Sequence, residues 1–211
     1  MKKAIIIGDG GHAKVIIDII HEIGNIEIIG ITSNMNYELN HRFCGYRILG
    51  KDDIFKNIDK NIYAVMGIGG YRDNTLRKRV FEYVKGLNIT FLNIIHPSAV
   101  VSKSVKMGEG VVVFPGVVLN TEVIVGDDTI IATGATVDHE SFIGNHVLIS
   151  AGVTIGANCE ISNSTLVALG AKVISGLRIG ENSLIAAGAV VVKDIQNNSK
   201  VFGIPAKPVM K

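Results

Sequence analysis

Tryptophan is absent from the 211 residues, aromatic side chains make up only 6%, and there are two cysteines, Cys44 and Cys159. So few rings exclude an aromatic-rich sandwich. With 47% hydrophobic content the interior must be built from Ile, Val and Ala, which favours strands. Two cysteines cannot make a disulfide framework, so both are expected as free thiols in a reducing compartment. Charge of one sign is also lacking: a net +2 supplies no basic field for nucleic acid and no acidic tail. No apolar run approaches the roughly 18 residues of a membrane span, and the N-terminal apolar stretch breaks at Gly8, too early for a signal peptide. These absences predict a cytoplasmic protein with no nucleic-acid or membrane partner.

What is present is a repeat. Every sixth residue from Ile95 to Val191 is aliphatic, and the position four residues after each is nearly always small, as at Ala99, Ala135, Ser141, Cys159 and Ala189; Leu177 is the one bulky member. Gly often follows the aliphatic residue, as at Gly108, Gly126, Gly144, Gly156 and Gly180. A period of six suits neither a helix nor a free strand. It suits one face of a triangular prism, in which three short strands make a coil of about 18 residues that pairs with the next through its backbone. The expectation is a left-handed parallel β-helix over 95–192, with no long loop leaving it, because no hexad is interrupted.

Residues 1–94 read as a small α/β, Rossmann-like domain. Strands are predicted at 3–7, 26–31 and 62–65, helices over 13–23 and 74–85, a long polar loop over 32–51, and a last strand near 90–94 that leads into the prism. This alternation implies a small parallel sheet with helices on both faces. The segment Gly8-Asp9-Gly10-Gly11-His12-Ala13 matches a relaxed dinucleotide fingerprint. The acidic residue expected at the tip of the second strand is missing, however, and Thr32 and Ser33 stand there. A Gly-rich turn opening a helix still presents N–H groups and partial positive charge to a phosphate. A sugar-nucleotide diphosphate is therefore preferred over NAD, and a purely structural turn is the alternative.

Three histidines are candidates for chemistry on the prism. His96 precedes Pro97 at the domain junction and reads as structural; His146, in Gly144-Asn145-His146, reads as solvent-exposed. His139 stands in Asp138-His139-Glu140, where a carboxylate can fix one ring nitrogen and leave the other to accept a proton. Cys159 holds an inward small position, so a direct transfer is expected rather than an acyl-cysteine intermediate.

Several of these segments together resemble the bacterial hexapeptide-repeat acetyltransferases that modify amino sugars on nucleotide carriers, a group that includes sialic-acid O-acetyltransferase-like proteins. The segments are 7–15 around the Gly-rich turn, Ile95-His96-Pro97-Ser98-Ala99, His139-Glu140, and the closing Val201-Phe202-Gly203-Ile204-Pro205-Ala206-Lys207-Pro208. The resemblance covers nearly the whole chain. It implies a homotrimer with active sites between neighbouring prisms, acetyl-CoA as co-substrate and no metal. His139 would be the general base, oriented by Glu140. Gly10, Gly11 and His12 would hold the nucleotide sugar, with Gly69 and Gly70 nearby and with Thr32 and Ser33 where the family often has acidic residues. Acetyl-CoA would lie near Ala157, Ala187 and a C-terminal segment, 193–211, through Gly203, Pro205 and Lys207. Leu148 replaces a second histidine common on that wall.

The resulting expectation is transfer of an acetyl group from acetyl-CoA to the amine of a UDP-linked 4-amino-deoxy sugar, directly, in a ternary complex. O-acetylation of a sialic acid and N-acetylation of a GDP-linked amino sugar are the alternatives within the class. A zinc hydratase would need a third histidine ligand beside His139 and His146, and His96 lies more than two coils away. A non-catalytic scaffold is the non-enzyme alternative.

Overall fold

A computed structural model of the chain describes residues 1–35, 37, 41–70 and 74–208. It divides into two compact units, Met1–Ile94 and Ile95–Lys211. The predicted separate segment 193–211 belongs, as far as 208, to the second unit; 209–211 lie outside the described residues.

In the first unit β1 (Lys2–Ile7), α1 (Gly11–Ile23), β2 (Ile26–Thr32), β3 (Arg42–Phe43), β4 (Tyr46–Gly50), β5 (Tyr63–Met66) and α2 (Thr75–Gly86) follow one another. The sheet order is β3-β4-β2-β1-β5. β1 pairs in parallel with both β2 and β5. Part of the expected loop over 32–51 is instead a hairpin, β3 against β4, and β4 adds a parallel strand beside β2. The polar look of that stretch concealed Ile48 and Leu49. Alternation along β1 explains the layering. Ile5 and Ile7 pack with Ala64, Met66, Val80, Phe81 and Val84 on the α2 side. The other face takes Ala4 and Ile6, fully buried, while α1 buries Ala13, Ile16, Ile17, Ile19 and Ile20. Of the predicted strand near 90–94 only a bridge from Phe91 to Ala64 forms in this sheet.

The second unit is the predicted prism. Val118 pairs with Thr136, Thr136 with Thr154 and Thr154 with Lys172, so each two-residue strand stacks on the one a full coil later. The coils pair in parallel on all three faces, and the closing segment adds one antiparallel pair, Val201 with Pro208 and Phe202 with Lys207. The inward aliphatics from Val113 to Val191 are 0–2% exposed, as are Ser141 and Cys159. Cys159 is thus an interior thiol, and burial pushes its pKa up, away from the thiolate a nucleophile needs. A Cβ on Gly144 would stand 2.8 Å from the backbone nitrogen of Asn163 in the next coil, which is why the residue after the aliphatic is so often Gly. Left-handed corners recur every six residues, among them Glu122 (φ 61°), Asp128 (φ 56°), Glu140 (φ 57°) and His146 (φ 56°). His139 and Glu140 stand at one of these corners, since the interior is aliphatic.

Candidate functional site

β1 is the point where the chain reverses direction across the first sheet: β2 lies on one side and β5 on the other. Loops leaving the C-terminal ends of strands at such a point diverge and leave a crevice. Gly8 N–H donates to Thr32 O at 3.0 Å and Gly67 N–H to Ile7 O at 2.8 Å, so the turns after β1, β2 and β5 meet there. Gly69 comes so close to His12 that a Cβ on it would be 3.1 Å from that of His12. The turn at 8–12 and the turn holding Gly69 and Gly70 are therefore neighbours.

Gly10 and Gly11 are a different case. Gly10 has φ −93°, Gly11 lies outside the left-handed range, and a Cβ on either would meet nothing within 4 Å. Neither the backbone nor the packing demands glycine at these two positions. They open α1, whose first turn carries no acidic residue and no side-chain cap, so nothing negative on the helix itself offsets the partial positive charge of its N-terminus.

His12 lies behind them. Its Nε2 has no solvent contact, and burial, reinforced by the Arg77 guanidinium, holds its pKa down to about 3. The imidazole is neutral in the fold, while an unfolded histidine titrates near 6.5, so the unfolded state binds more protons between those values. Stability is lost as pH falls from about 6.5 to about 3. At pH 5 this one residue is expected to cost about 2 kcal/mol relative to pH 7. Urea unfolding of wild type and His12→Gln at both pH values checks it: the variant should lose less stability on acidification.

Thr32 is fully buried and its hydroxyl donates to Asp52 at 2.6 Å; Ser33, 2% exposed, donates to Asp9 at 2.8 Å. Thr32 therefore secures the tip of β2 rather than offering its hydroxyl outward. The carboxylates that the sequence lacks at this tip arrive from elsewhere. Asp52 is also bonded by Asn34, and Asp9 also accepts from the Tyr37 hydroxyl.

On the prism, His139 Nδ1 lies 3.0 Å from Glu140 Oε2, with the two side chains 52% and 60% exposed. Assigning the Nδ1 proton to this bond leaves the Nε2 lone pair outward. A pocket of about 360 Å³ opens here, lined by Asn120, Thr121, Glu122, Asp138, His139 and Glu140. Glu140 N–H donates to Thr121 O at 3.0 Å, which fixes the left-handed corner from the coil below. Asn120, Thr121 and Glu122 did not stand out in the sequence. Counting one coil back from His139 reaches Thr121, which is the signal that would have found them.

Ala157 lies one coil beyond His139 on the same corner, where Asn158 N–H donates to His139 O at 2.9 Å. The other cofactor candidates lie elsewhere. Ala187 is on the corner between the faces of Leu184–Ile185 and Val190–Val191. The closing segment stacks there: Leu184 pairs with Lys200, Val190 N–H donates to Gly203 O at 3.1 Å, and Ala206 N–H donates to Val190 O at 2.7 Å. Gly203, Pro205 and Lys207 are thus brought to Ala187 and are exposed. Leu148 is on a flat face, 7% exposed, packed with Ile130 and Leu166. A single chain brings neither Leu148 nor Ala187 to His139.

His146 departs from the expected exposure. It is buried, 2.9 Å from Asp128 Oδ2, because the two residues occupy successive turns of one corner. His96 accepts from the Ser98 backbone N–H at 3.0 Å, a local turn. Among the described residues no group of three His, Cys, Asp or Glu could hold a metal ion, and no helix is long and apolar enough to cross a membrane.

Residues 3–84 match the PglD N-terminal domain family. A UDP-N-acetylbacillosamine N-acetyltransferase of Bacillus subtilis is 30% identical over 118 residues, which are 54% of this chain and 51% of that protein, so the match spans about half the length of that curated relative. Among solved structures, GDP-perosamine N-acetyltransferase from Caulobacter crescentus, a histidine-to-alanine variant in complex with CoA and GDP-perosamine, is 32% identical with a TM-score of 0.89, covering 99% of this chain and 97% of that one. The acetyltransferase domain of PglB from Neisseria gonorrhoeae, in complex with acetyl coenzyme A, is 28% identical with a TM-score of 0.77 and 99% coverage of both.

Proposed function

The chain belongs to the hexapeptide-repeat sugar N-acetyltransferases, and we propose that it acetylates the amine of a nucleotide-linked amino-deoxy sugar from acetyl-CoA. The observation that carries this reading is the His139–Glu140 pair at 3.0 Å in an open pocket, on a chain whose relatives act on such sugars. His139 Nε2 removes a proton from the attacking amine, and Glu140 holds the tautomer and favours the imidazolium that forms. Gly10, Gly11 and the α1 N-terminus hold the diphosphate, with His12, Gly69 and Gly70 shaping that crevice. Ser33 and Thr32 act on the nucleotide through Asp9 and Asp52, the carboxylates they bond. Ala157 and, from a neighbouring prism, Ala187, Gly203, Pro205 and Lys207 line the acetyl-CoA groove, with Leu148 on its apolar wall. The separation of these residues within one chain is what a homotrimer with shared sites requires.

UDP is the proposed carrier, in keeping with the bacillosamine relative, and GDP is the second reading, which the perosamine relative favours. Product inhibition separates them. UDP is expected to compete with the acceptor at least about tenfold more strongly than GDP; the reverse order would move the assignment to a GDP-linked sugar.

A further inference from the structure

The two oxygens of Asp138 in the His139 pocket have different surroundings. Oδ1 accepts the Asn120 Nδ2–H at 2.9 Å and the backbone N–H of His139 at 2.8 Å. One donor comes from the coil below and the other from the next residue, so the carboxylate is held from two directions. Oδ2 has no hydrogen bond among the described residues, although Asp138 is half-buried and lines the pocket. The other carboxylates lining it are Glu122 and Glu140, beside the His139 imidazole and with no Lys or Arg. A fixed, partly desolvated carboxylate oxygen among like charges favours a cation.

A sugar amine titrates roughly around 8, by analogy with a peptide α-amino group, and so arrives at neutral pH mainly as R–NH3+. A hydroxyl brings no charge. We propose that Asp138, positioned by Asn120, receives the acceptor's amino group as an ammonium ion and makes the pocket select an amine over a hydroxyl. This rests on the transfer proposed above and deepens it. The balance is R–NH3+ + CH3CO–S–CoA → R–NH–COCH3 + HS–CoA + H+. Two protons leave nitrogen. His139 takes the first and releases it to solvent, which frees the lone pair. It takes the second as the C–N bond forms and the C–S bond breaks, and passes it to the departing sulfur. Asp138 binds the cation before the first of these steps and accepts no proton.

The test is calorimetric binding of two UDP-linked deoxyhexoses that differ only in a 4-amino or a 4-hydroxyl group, to the full chain, at pH 6.5 and 9.5. Wild type is expected to prefer the amino form by about tenfold at pH 6.5 and to lose that preference at pH 9.5, where the amine is neutral. Asp138→Asn keeps an Oδ1 acceptor for both donors. It should abolish the preference at pH 6.5 and leave the affinity for the hydroxyl form within about twofold. Asn120→Ala should retain part of the preference and raise the KM for the amino sugar more than it lowers kcat, as expected of a residue that positions a binding carboxylate. Equal wild-type affinities at pH 6.5, or an undiminished preference in Asp138→Asn, would overturn the proposal. Acetyl-CoA turnover on the same preparations separates the two claims. Turnover without amine preference overturns the role of Asp138 alone, and amine preference without turnover overturns the transfer reading alone.

Discussion

Replacing His139 by alanine is expected to lower kcat by about 10²–10⁴-fold, the range that general-base catalysis supplies, with the KM values for both substrates nearly unchanged. The residue sits on an exposed left-handed corner and packs no core, so the fold has little to lose. Its ring is fixed by Glu140, and the backbone of Glu140 is in turn fixed by Thr121. Glu140→Gln keeps a hydrogen-bond acceptor but loses the charge that favours the imidazolium. It should cost less than His139→Ala, because the ring stays held and the base itself is still present. Steady-state kinetics on the two variants decide this. A His139→Ala enzyme with wild-type kcat would remove the base from the account.

The second large effect is expected from changes that the fold does not feel. Gly10→Ala and Gly11→Ala introduce a methyl into open space, at backbone angles an alanine adopts freely. Stability should stay within about 0.5 kcal/mol of wild type. A diphosphate lying against those N–H groups has no room for the methyl groups, so the double variant should raise the nucleotide-sugar KM by at least about tenfold while leaving the acetyl-CoA KM unchanged. If it binds the nucleotide sugar as wild type does, the glycines are a plain turn and the crevice lies elsewhere. Gly8 and Gly67 offer no such test. A Cβ on Gly8 would stand 2.8 Å from the Ile68 side chain, and one on Gly67 2.7 Å from the Ile7 carbonyl oxygen, so substitution there disturbs the sheet itself.

The prism was legible because its rule is local and repeated: an inward aliphatic every six residues leaves no other phase, and Cys159 could be placed inside from its position in the hexad alone. The α/β unit was legible where the hydrophobic period was strong, in β1, α1 and α2. It was not legible at β3 and β4, where Arg42, Tyr46 and Arg47 hide short strands that tertiary pairing creates. His139 and Glu140 stood out because they adjoin in sequence. Asn120 and Glu122 did not, because their relation to His139 exists only once the coil closes. Asp9 and Asp52 are the same lesson in the first unit, since the acid expected at the tip of β2 is supplied by neighbouring segments. His146 was misread because a polar flank suggests solvent, whereas its exposure is set by Asp128, one coil before it in the stack.

The most direct test of the whole account is thiol release from acetyl-CoA, followed in parallel for wild type and His139→Ala. The acceptors are a UDP-linked 4-amino sugar, its GDP-linked counterpart and free sialic acid. Release is expected with an amino-sugar nucleotide, the UDP form being faster, with a loss of about 10²-fold or more in the variant. Release with sialic acid alone, or equal release by wild type and variant, would contradict it.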